Sequence, residues 1–536
     1  MSHPLPESEL HDADMPFRDV DSLNGARTGL VGRVLHGTGA GAVAYALGIV
    51  SNLLLLPLYL RVWSVAVYGE WMALYSVVSY LASLDFGVTS AAISAATMAY
   101  ARNDWTAFKR VQGTAWATAL VIAGFGGVLV AALSLFYFHL NQWLGLTMLG
   151  QRDARLVFCG LAISLLANIP GRQLIAVYIA MGEFAKYQWL YNACSLLLCF
   201  VTAIALSMGA RPALLAAITA ATTLCTIGLT AWILYRRNSH LIPRLRDADW
   251  NTAKVLAAPT GQTGLSMIAT ALMLQGPVIV LSRALGGPAV ALFTTTRTVT
   301  NVIRGTVMLL RLPLRPEFAA TSTEPGKETL RRLFRLAVGI DTIIAISLST
   351  VLWSGGVWLI EFWSRGRIHP DPRLLHLLLI VVILEGFLQV LASAGWATNK
   401  IQGVSYGQLA AAVVSLIMAV ALLGRFGPSA IPLGIIVAQL AIMTPLALQS
   451  ACREASLSLR YVAVRLLLPF VAIAIFSAAF PAWLASLSVA PAWLPAILSS
   501  ILTCALAVFT VTTIFLTSND RKTLREHAFY GVSKKL

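Results

Sequence analysis

The chain has 536 residues, is 58% hydrophobic and 12% charged, and carries a formal net charge of +16, with a mean hydropathy of +0.76. Soluble domains carry about 25% charged residues, so a soluble enzyme or binding module is excluded and the sequence reads as an integral membrane protein. Its Lys and Arg are scattered through short connectors without interleaved aromatics, which excludes a nucleic-acid partner.

Residues 1–34 are polar, mix Glu7, Glu9, Asp12, Asp14, Asp19 and Asp21 with Arg18, Arg27 and Arg33, and lack an apolar core. They predict a disordered cytoplasmic tail followed by an uncleaved signal-anchor. From Leu35 onward, apolar runs recur that are long enough to cross about 30 Å of hydrocarbon at 1.5 Å per residue. The first six fall at Leu35–Leu60, Val67–Tyr100, Gly113–Tyr137, Arg155–Ala180, Tyr187–Met208 and Pro212–Tyr235. The basic connector Arg236–Lys254 separates them from Val255–Leu281, Pro288–Leu314, Leu333–Trp358, Leu374–Ala397, Ser405–Leu423, Ile431–Ser450, Tyr461–Leu484 and Ala492–Leu516. The expectation is an all-α polytopic protein of about fourteen transmembrane helices.

The richer basic connectors, around Lys109 and Arg110, Arg236–Lys254, Lys327–Arg335 and the tail from Arg521, all fall on one side. The positive-inside rule makes that side cytoplasmic and puts both termini there. The opposite connectors are short, and a membrane polymerase or ligase working at the outer face would need acidic or His-bearing loops there. The six cysteines, Cys159, Cys194, Cys199, Cys225, Cys452 and Cys504, sit in or beside apolar runs without metal-ligand spacing and read as packing residues. No nucleotide-binding, zinc or nucleophile-elbow motif occurs in a suitable context, so no cofactor is expected.

Two stretches overlay without gaps, "LYLRVWSVAVYGEWMALYSVV" from Leu58 and "VLSRALGGPAVALFTTTRTVT" from Val280. In each an Arg ends one helix, Arg61 or Arg283, and a tight connector leads to a helix with an aromatic near its start, Trp71 or Phe293. A repeat six helices apart is how many transporters are built, with the binding site between the halves.

Charge at the centre of a membrane helix costs about 2.5–3.5 kcal/mol even on the lenient insertion scale, so each instance needs a partner or a wet cavity. On the eighth span Arg297, Arg304 and Arg311 recur every seven residues, Arg315 follows, and Asn301 lies between the first two, all on one helical face. Arg311 and Arg315 read as interfacial anchors. Arg297 lies about 14 Å along the helix and Arg304 about 10 Å further, too deep to reach the outer surface. The pair therefore either contacts cargo or forms structural ion pairs, and planar guanidinium groups suit a diphosphate.

Arg172, beside Pro170 and Gly171 in the fourth span, is either a further cargo contact or an inner-side anchor. Of the acidic residues, Asp341 in the ninth span reads as an ion-pair partner. Glu385 in the tenth, about 16 Å from its outer end, reads equally as a partner or as a proton carrier. Asp85, in "SLDFGVTSA", lies about 27 Å from Val67 in a run too long for one straight span. The expectation is a helix bent or loosened near Gly87, with Asp85 a gate or pairing residue at the cytoplasmic mouth.

Three segments, "LLLPLYLRVWSVAVYGEWMALYSVVSYLASLDFGVTSA", "LRPEFAATSTEPGKETLRRLFRLAV" and "GWATNKIQGVSYGQLAAAVVSLIMAVALLGRFGPSAIPLGIIVA", occur in an order that resembles bacterial polysaccharide-biosynthesis membrane proteins, the O-antigen and exopolysaccharide flippases. The likeness covers about residues 35–455. It implies the fold of the multidrug/oligosaccharidyl-lipid/polysaccharide (MOP) exporters: two six-helix lobes in a pseudo-twofold V around a cationic cavity, plus two C-terminal helices. The lobes would be residues 35–235 and 255–452, joined by the cytoplasmic linker 236–254, with the added helices in 453–517 and a cytoplasmic tail at 518–536.

The resemblance further implies an inner-membrane protein whose cargo is an undecaprenyl-diphosphate-linked oligosaccharide, with membrane lipid and a polysaccharide polymerase and chain-length regulator as partners. Arg297, Arg304, Asn301 and Arg172 are then the expected substrate contacts, and Asp85, Glu385 and Asp341 the gating or coupling residues. The first helix carries an arginine only at its outer end, Arg61, unlike the murein-precursor branch, which favours a surface-polysaccharide cargo. The rival readings are a cation-coupled drug exporter of the same fold and a glycan polymerase or ligase.

Overall fold

Where no water reaches the backbone, a helix satisfies its own N–H and C=O groups, and sequences this apolar have little alternative. The computed structural model describes residues 20–135, 140–257, 260–311, 327–397, 402–454, 458–468, parts of 471–479, and 493–510. Among the described residues there is no strand.

The N-terminal half contains α1 (Val20–Val62), α2 (Val65–Ser79), α3 (Val88–Ala101), α4 (Trp105–Leu135), the short α5 (Leu140–Leu144), α6 (Gln151–Ala180), α7 (Phe184–Ser207) and α8 (Pro212–Asn238). A linker with the helix α9 (Trp250–Ala257) leads to α10 (Thr260–Arg311), α11 (Lys327–Trp363), α12 (Pro372–Ala397), α13 (Gln402–Phe426), α14 (Ala430–Ala438) and α15 (Thr444–Glu454). A helical stretch at Leu459–Tyr461 and Val462–Leu467 and the helix α16 (Trp493–Thr510) follow. The first helix begins at Val20 and not at Leu35, so the latter part of the expected disordered tail is helical; its polar residues extend the helix beyond the apolar span.

Among the described residues, ten continuous helical runs are long and apolar enough to cross a membrane. Two of them, Gly264–Met308 with 45 residues and Gln402–Arg453 with 52, are about twice the ~20 residues that a span needs. Each folds back on itself. In α10 the reversal is at Gly286, whose φ of 77° is open to glycine without strain, and Arg297 on the returning arm donates to the Leu274 carbonyl on the outgoing one. In the other run the chain turns at Gly427, φ 55°, and Gly434 of α14 lies so close to α13 that a Cβ there would meet Ser415 O at 2.4 Å. Twelve crossings result among the described residues, with α16 a further apolar helix of 18 residues. The Pro-Glu-Phe connector and Arg315 lie outside the described residues.

Lipid is as apolar as a leucine side chain, so close packing through small residues holds such helices together. Gly160 of α6 rests on Ala216 of α8, with a Cβ 2.9 Å from the Ala216 carbonyl carbon. Between the halves, Gly69 of α2 meets the reversal of α10, where a Cβ would fall 1.8 Å from Gly287 O. A buried cluster crosses the same junction, joining Leu56, Leu60 and Tyr68 to Ala291, Val299, Ile303, Ile360 and Leu375. The halves are also pinned by Ser282 Oγ donating to Leu144 O at 2.7 Å, Trp363 Nε1 to Leu53 O at 2.6 Å, and Arg367 to Leu60 O. Deeper in, Tyr45 of α1 donates to the Val302 carbonyl at 3.3 Å. The two stretches that overlay in sequence hold matching places, a reversal and then a helix, and these helices meet at the junction.

Candidate functional site

On the returning arm of α10 the seven-residue spacing keeps Arg297 and Arg304 on one face, with Asn301 between them. The Arg297 guanidinium lies 5.1 Å over the Phe293 ring and donates to the Leu274 carbonyl. Among the described residues no carboxylate lies within ion-pair distance of it. Arg304 reaches Glu385 of α12, Nη2 to Oε2 at 2.6 Å, with side chains 36% and 17% exposed. Asn301 Oδ1 and Arg304 Nε are buried without a hydrogen-bond partner.

The structure thus brings Arg304 and Glu385 together across 81 positions of sequence, with Asn301 and Arg297 on the same helix face. Asp341 of α11 is buried, 2% exposed. Arg311 ends α10. Arg172 stands apart in the N-terminal half, exposed on α6, where it lines a cavity of about 380 Å³ between α6, α7 and α8 with Asn168, Gln188, Tyr191, Thr222 and Thr226. Helix α6 runs through Pro170 without a break.

Asp85 sits where the second expected span does break. A 3₁₀ segment, Tyr80–Asp85, ends at Phe86 and Gly87, with φ of 46° and 85°, before α3 starts at Val88. The Asp85 carboxylate, 3% exposed, accepts from the Thr89 hydroxyl at 2.9 Å and its amide at 3.4 Å. Thr89 Oγ1 in turn accepts from Gln173 Nε2 of α6 at 2.9 Å. Its hydrogen-bond partner is therefore a hydroxyl on the next helical turn, where a basic group was expected, because the break exposes the N-terminus of α3 and an aspartate is well suited to cap it.

Two residues escape the sequence reading. Glu70 of α2, 0% exposed, accepts from the amides of Thr147, Met148 and Leu149 at 2.6, 2.8 and 2.7 Å and from the Thr147 hydroxyl at 3.2 Å. A lone Glu in an apolar run was a visible signal, but its partners are backbone groups of a connector that no motif marks. Tyr45 closes on Gly305, where a Cβ would fall 1.4 Å from its hydroxyl.

No protein-family model and no curated protein matches the sequence. Among solved structures, the chain resembles an inward-facing multidrug-resistance MATE family transporter of the MOP superfamily, with a TM-score of 0.64 at 14% identity over 77% of this chain and 96% of that one. It also resembles the lipid II flippase MurJ in an inward closed conformation, with a TM-score of 0.61 at 12% identity over 88% and 98%. A MOP superfamily transporter from Pyrococcus furiosus, whose reversed binding-pocket polarity suggests a different function for it, gives 0.59 at 14% over 80% and 96%. At such identities the likeness is one of fold, and the fold is that of the MOP-superfamily transporters.

Proposed function

We propose that the protein is a flippase that moves an undecaprenyl-diphosphate-linked oligosaccharide from the cytoplasmic to the outer leaflet of the bacterial inner membrane by alternating access, for surface polysaccharide or exopolysaccharide synthesis. The observation that carries this is the charge pattern of the arginine face. Arg297 has no carboxylate partner among the described residues, and Arg304 holds a single exchangeable one, so the face has capacity for an anion. A diphosphate supplies paired oxygens that a guanidinium binds bidentately. Its lipid tail stays in the bilayer and its glycan in the wet space between the halves, as expected for repeat-built transporters.

The drug-exporter reading of the same fold needs carboxylates free to hold a cation. Here Glu70 is occupied by amides, Asp85 by Thr89 and Glu385 by Arg304, which favours the anionic cargo. The polymerase and chain-length regulator are proposed as pathway partners on the resemblance alone.

Export of surface polysaccharide is the direct test. Arg297→Ala and Arg304→Ala are each expected to abolish it at normal protein level and membrane insertion, while intact lipid-linked repeat units accumulate on the inner leaflet. Wild-type export by Arg304→Ala would sink the assignment.

A further inference from the structure

The cavity beside Arg172 is lined by α6, α7 and α8, which pack on one another, and by Ala82 of the broken second span. Its volume of about 380 Å³ falls in the about 300–1,000 Å³ range of small-ligand pockets. Its lining is rich in hydrogen-bond acceptors beside the donors of Arg172, Ser195, Tyr187 and Tyr191. Thr222, Thr226 and Thr230 donate their hydroxyl protons to carbonyls one turn back, each at 2.8 Å, so their oxygens face the cavity as acceptors. Asn168 Nδ2 gives one N–H to Ser164 O at 2.9 Å and Gln188 Nε2 one to Asn192 Oδ1 at 3.1 Å, which leaves each amide its oxygen and one further N–H.

No carboxylate lines this wall. Tyr187 and Tyr191 stack at 6.3 Å with 22° between their planes and offer flat apolar faces. A solute that fits must bring many hydrogen-bond donors, no positive charge and a flat CH face. A lipid tail would leave the acceptors unpaired, and an organic cation would meet Arg172.

We infer that this cavity is a sugar-binding site, in which a pyranose donates its hydroxyls to Thr222, Thr226 and Asn168, lies on the tyrosine faces and directs an acidic or acyl substituent to Arg172. The inference rests on the flippase reading for its cargo, and places the glycan in the N-terminal half while the diphosphate is held by the C-terminal one.

Cys194 lines the same cavity and is a free thiol, so the native chain carries its own reporter. The full-length protein in nanodiscs free of saccharide detergent is alkylated with N-ethylmaleimide, and modification of Cys194 is followed by peptide mass spectrometry. Maltose is expected to slow the reaction at least threefold and choline to leave it unchanged. Thr222→Val with Thr226→Val keeps side-chain volume, removes two acceptors and is expected to abolish the protection. Maltose without effect on the wild-type rate, or equal protection in the double variant, overturns the sugar site. Farnesyl diphosphate binding is measured separately on the same sample. Failure of that probe to bind wild type, or wild-type affinity in Arg297→Ala, overturns the diphosphate reading and leaves the maltose result standing by itself.

Discussion

In the N-terminal half both buried carboxylates are bound to neutral donors: Glu70 to three backbone amides and a hydroxyl, Asp85 to Thr89. In the C-terminal half Glu385 faces a guanidinium, and a second guanidinium, Arg297, meets a carbonyl and a ring and, among the described residues, no carboxylate. The first arrangement is permanent, because backbone amides cannot turn to another anion without unfolding a connector. The second is open to exchange, since the Arg304 side chain is 36% exposed, and on the proposed function an incoming diphosphate would replace Glu385 there. One half uses buried charge to fix its shape, and the other, on that proposal, would keep charge available for a ligand.

The sharpest way to break this contrast is to neutralise one carboxylate on each side. Glu70→Gln can keep one acceptor oxygen for the amides of Thr147 and Met148 but then turns an NH₂ toward the amide of Leu149. Charged hydrogen bonds contribute about 1.5–3 kcal/mol each, and an orphaned buried group about 1–3 kcal/mol. The expected result is a loss of several degrees in thermal midpoint, with the connector 145–149 opened to hydrogen exchange. An unchanged midpoint would remove the distinction between the halves.

Glu385→Gln is expected to do the reverse, with a smaller effect. Removing one partner from a fully buried ion pair costs about 3–5 kcal/mol, but the side chains of this pair are 36% and 17% exposed, so a smaller loss is expected. The midpoint should move little, while farnesyl diphosphate binds a few-fold tighter because Arg304 no longer has to leave a carboxylate. Titration of the probe against wild type and variant, followed in nanodiscs, measures it. Weaker binding in the variant would make Glu385 a positioning residue for Arg304 and not its competitor.

These features differ in how legible they are in the sequence. The spans, the break at Gly87 and the arginine spacing follow from local pattern, since a glycine that accepts positive φ and a seven-residue period are both carried by neighbours in the chain. Thr89 as partner of Asp85 was within reach, four residues on, where a capping hydroxyl belongs. The pairing of Arg304 with Glu385 was not, because sequence supplied several intramembrane cations and carboxylates with no rule to match them. The hydroxyl-lined cavity was less visible still: threonines of α8 read as ordinary membrane-helix residues until α6 and α7 are set beside them. Glu70 was hidden for a different reason, since its ligands are amides that every residue possesses.

The smallest effect belongs to a surface counterpart of Glu70 in the same half. Glu183, in the connector between α6 and α7, accepts from Lys186 at 2.6 Å and from Arg237 of α8 at 3.2 Å. The Lys186 hydrogen bond is the largest influence and, with the Arg237 and Lys186 charges, outweighs the opposing effect of burial and holds its carboxyl below the usual range. A lowered folded-state pKa contributes stability that is fully present above the ordinary carboxylate value of about 4.3 and is lost as pH falls through the lowered one. Glu183→Gln should therefore cost at neutral pH only what exposed pairs contribute, about 0.2–1 kcal/mol, and the difference from wild type should vanish in acid. Because this pair is exposed, added salt should also shrink the difference at neutral pH, whereas the Glu70→Gln loss should persist in salt. Thermal midpoints of both variants at low and high salt separate a screened surface charge from one enclosed by amides. A salt-sensitive Glu70→Gln effect would place that carboxylate in water and undo the contrast between the two halves.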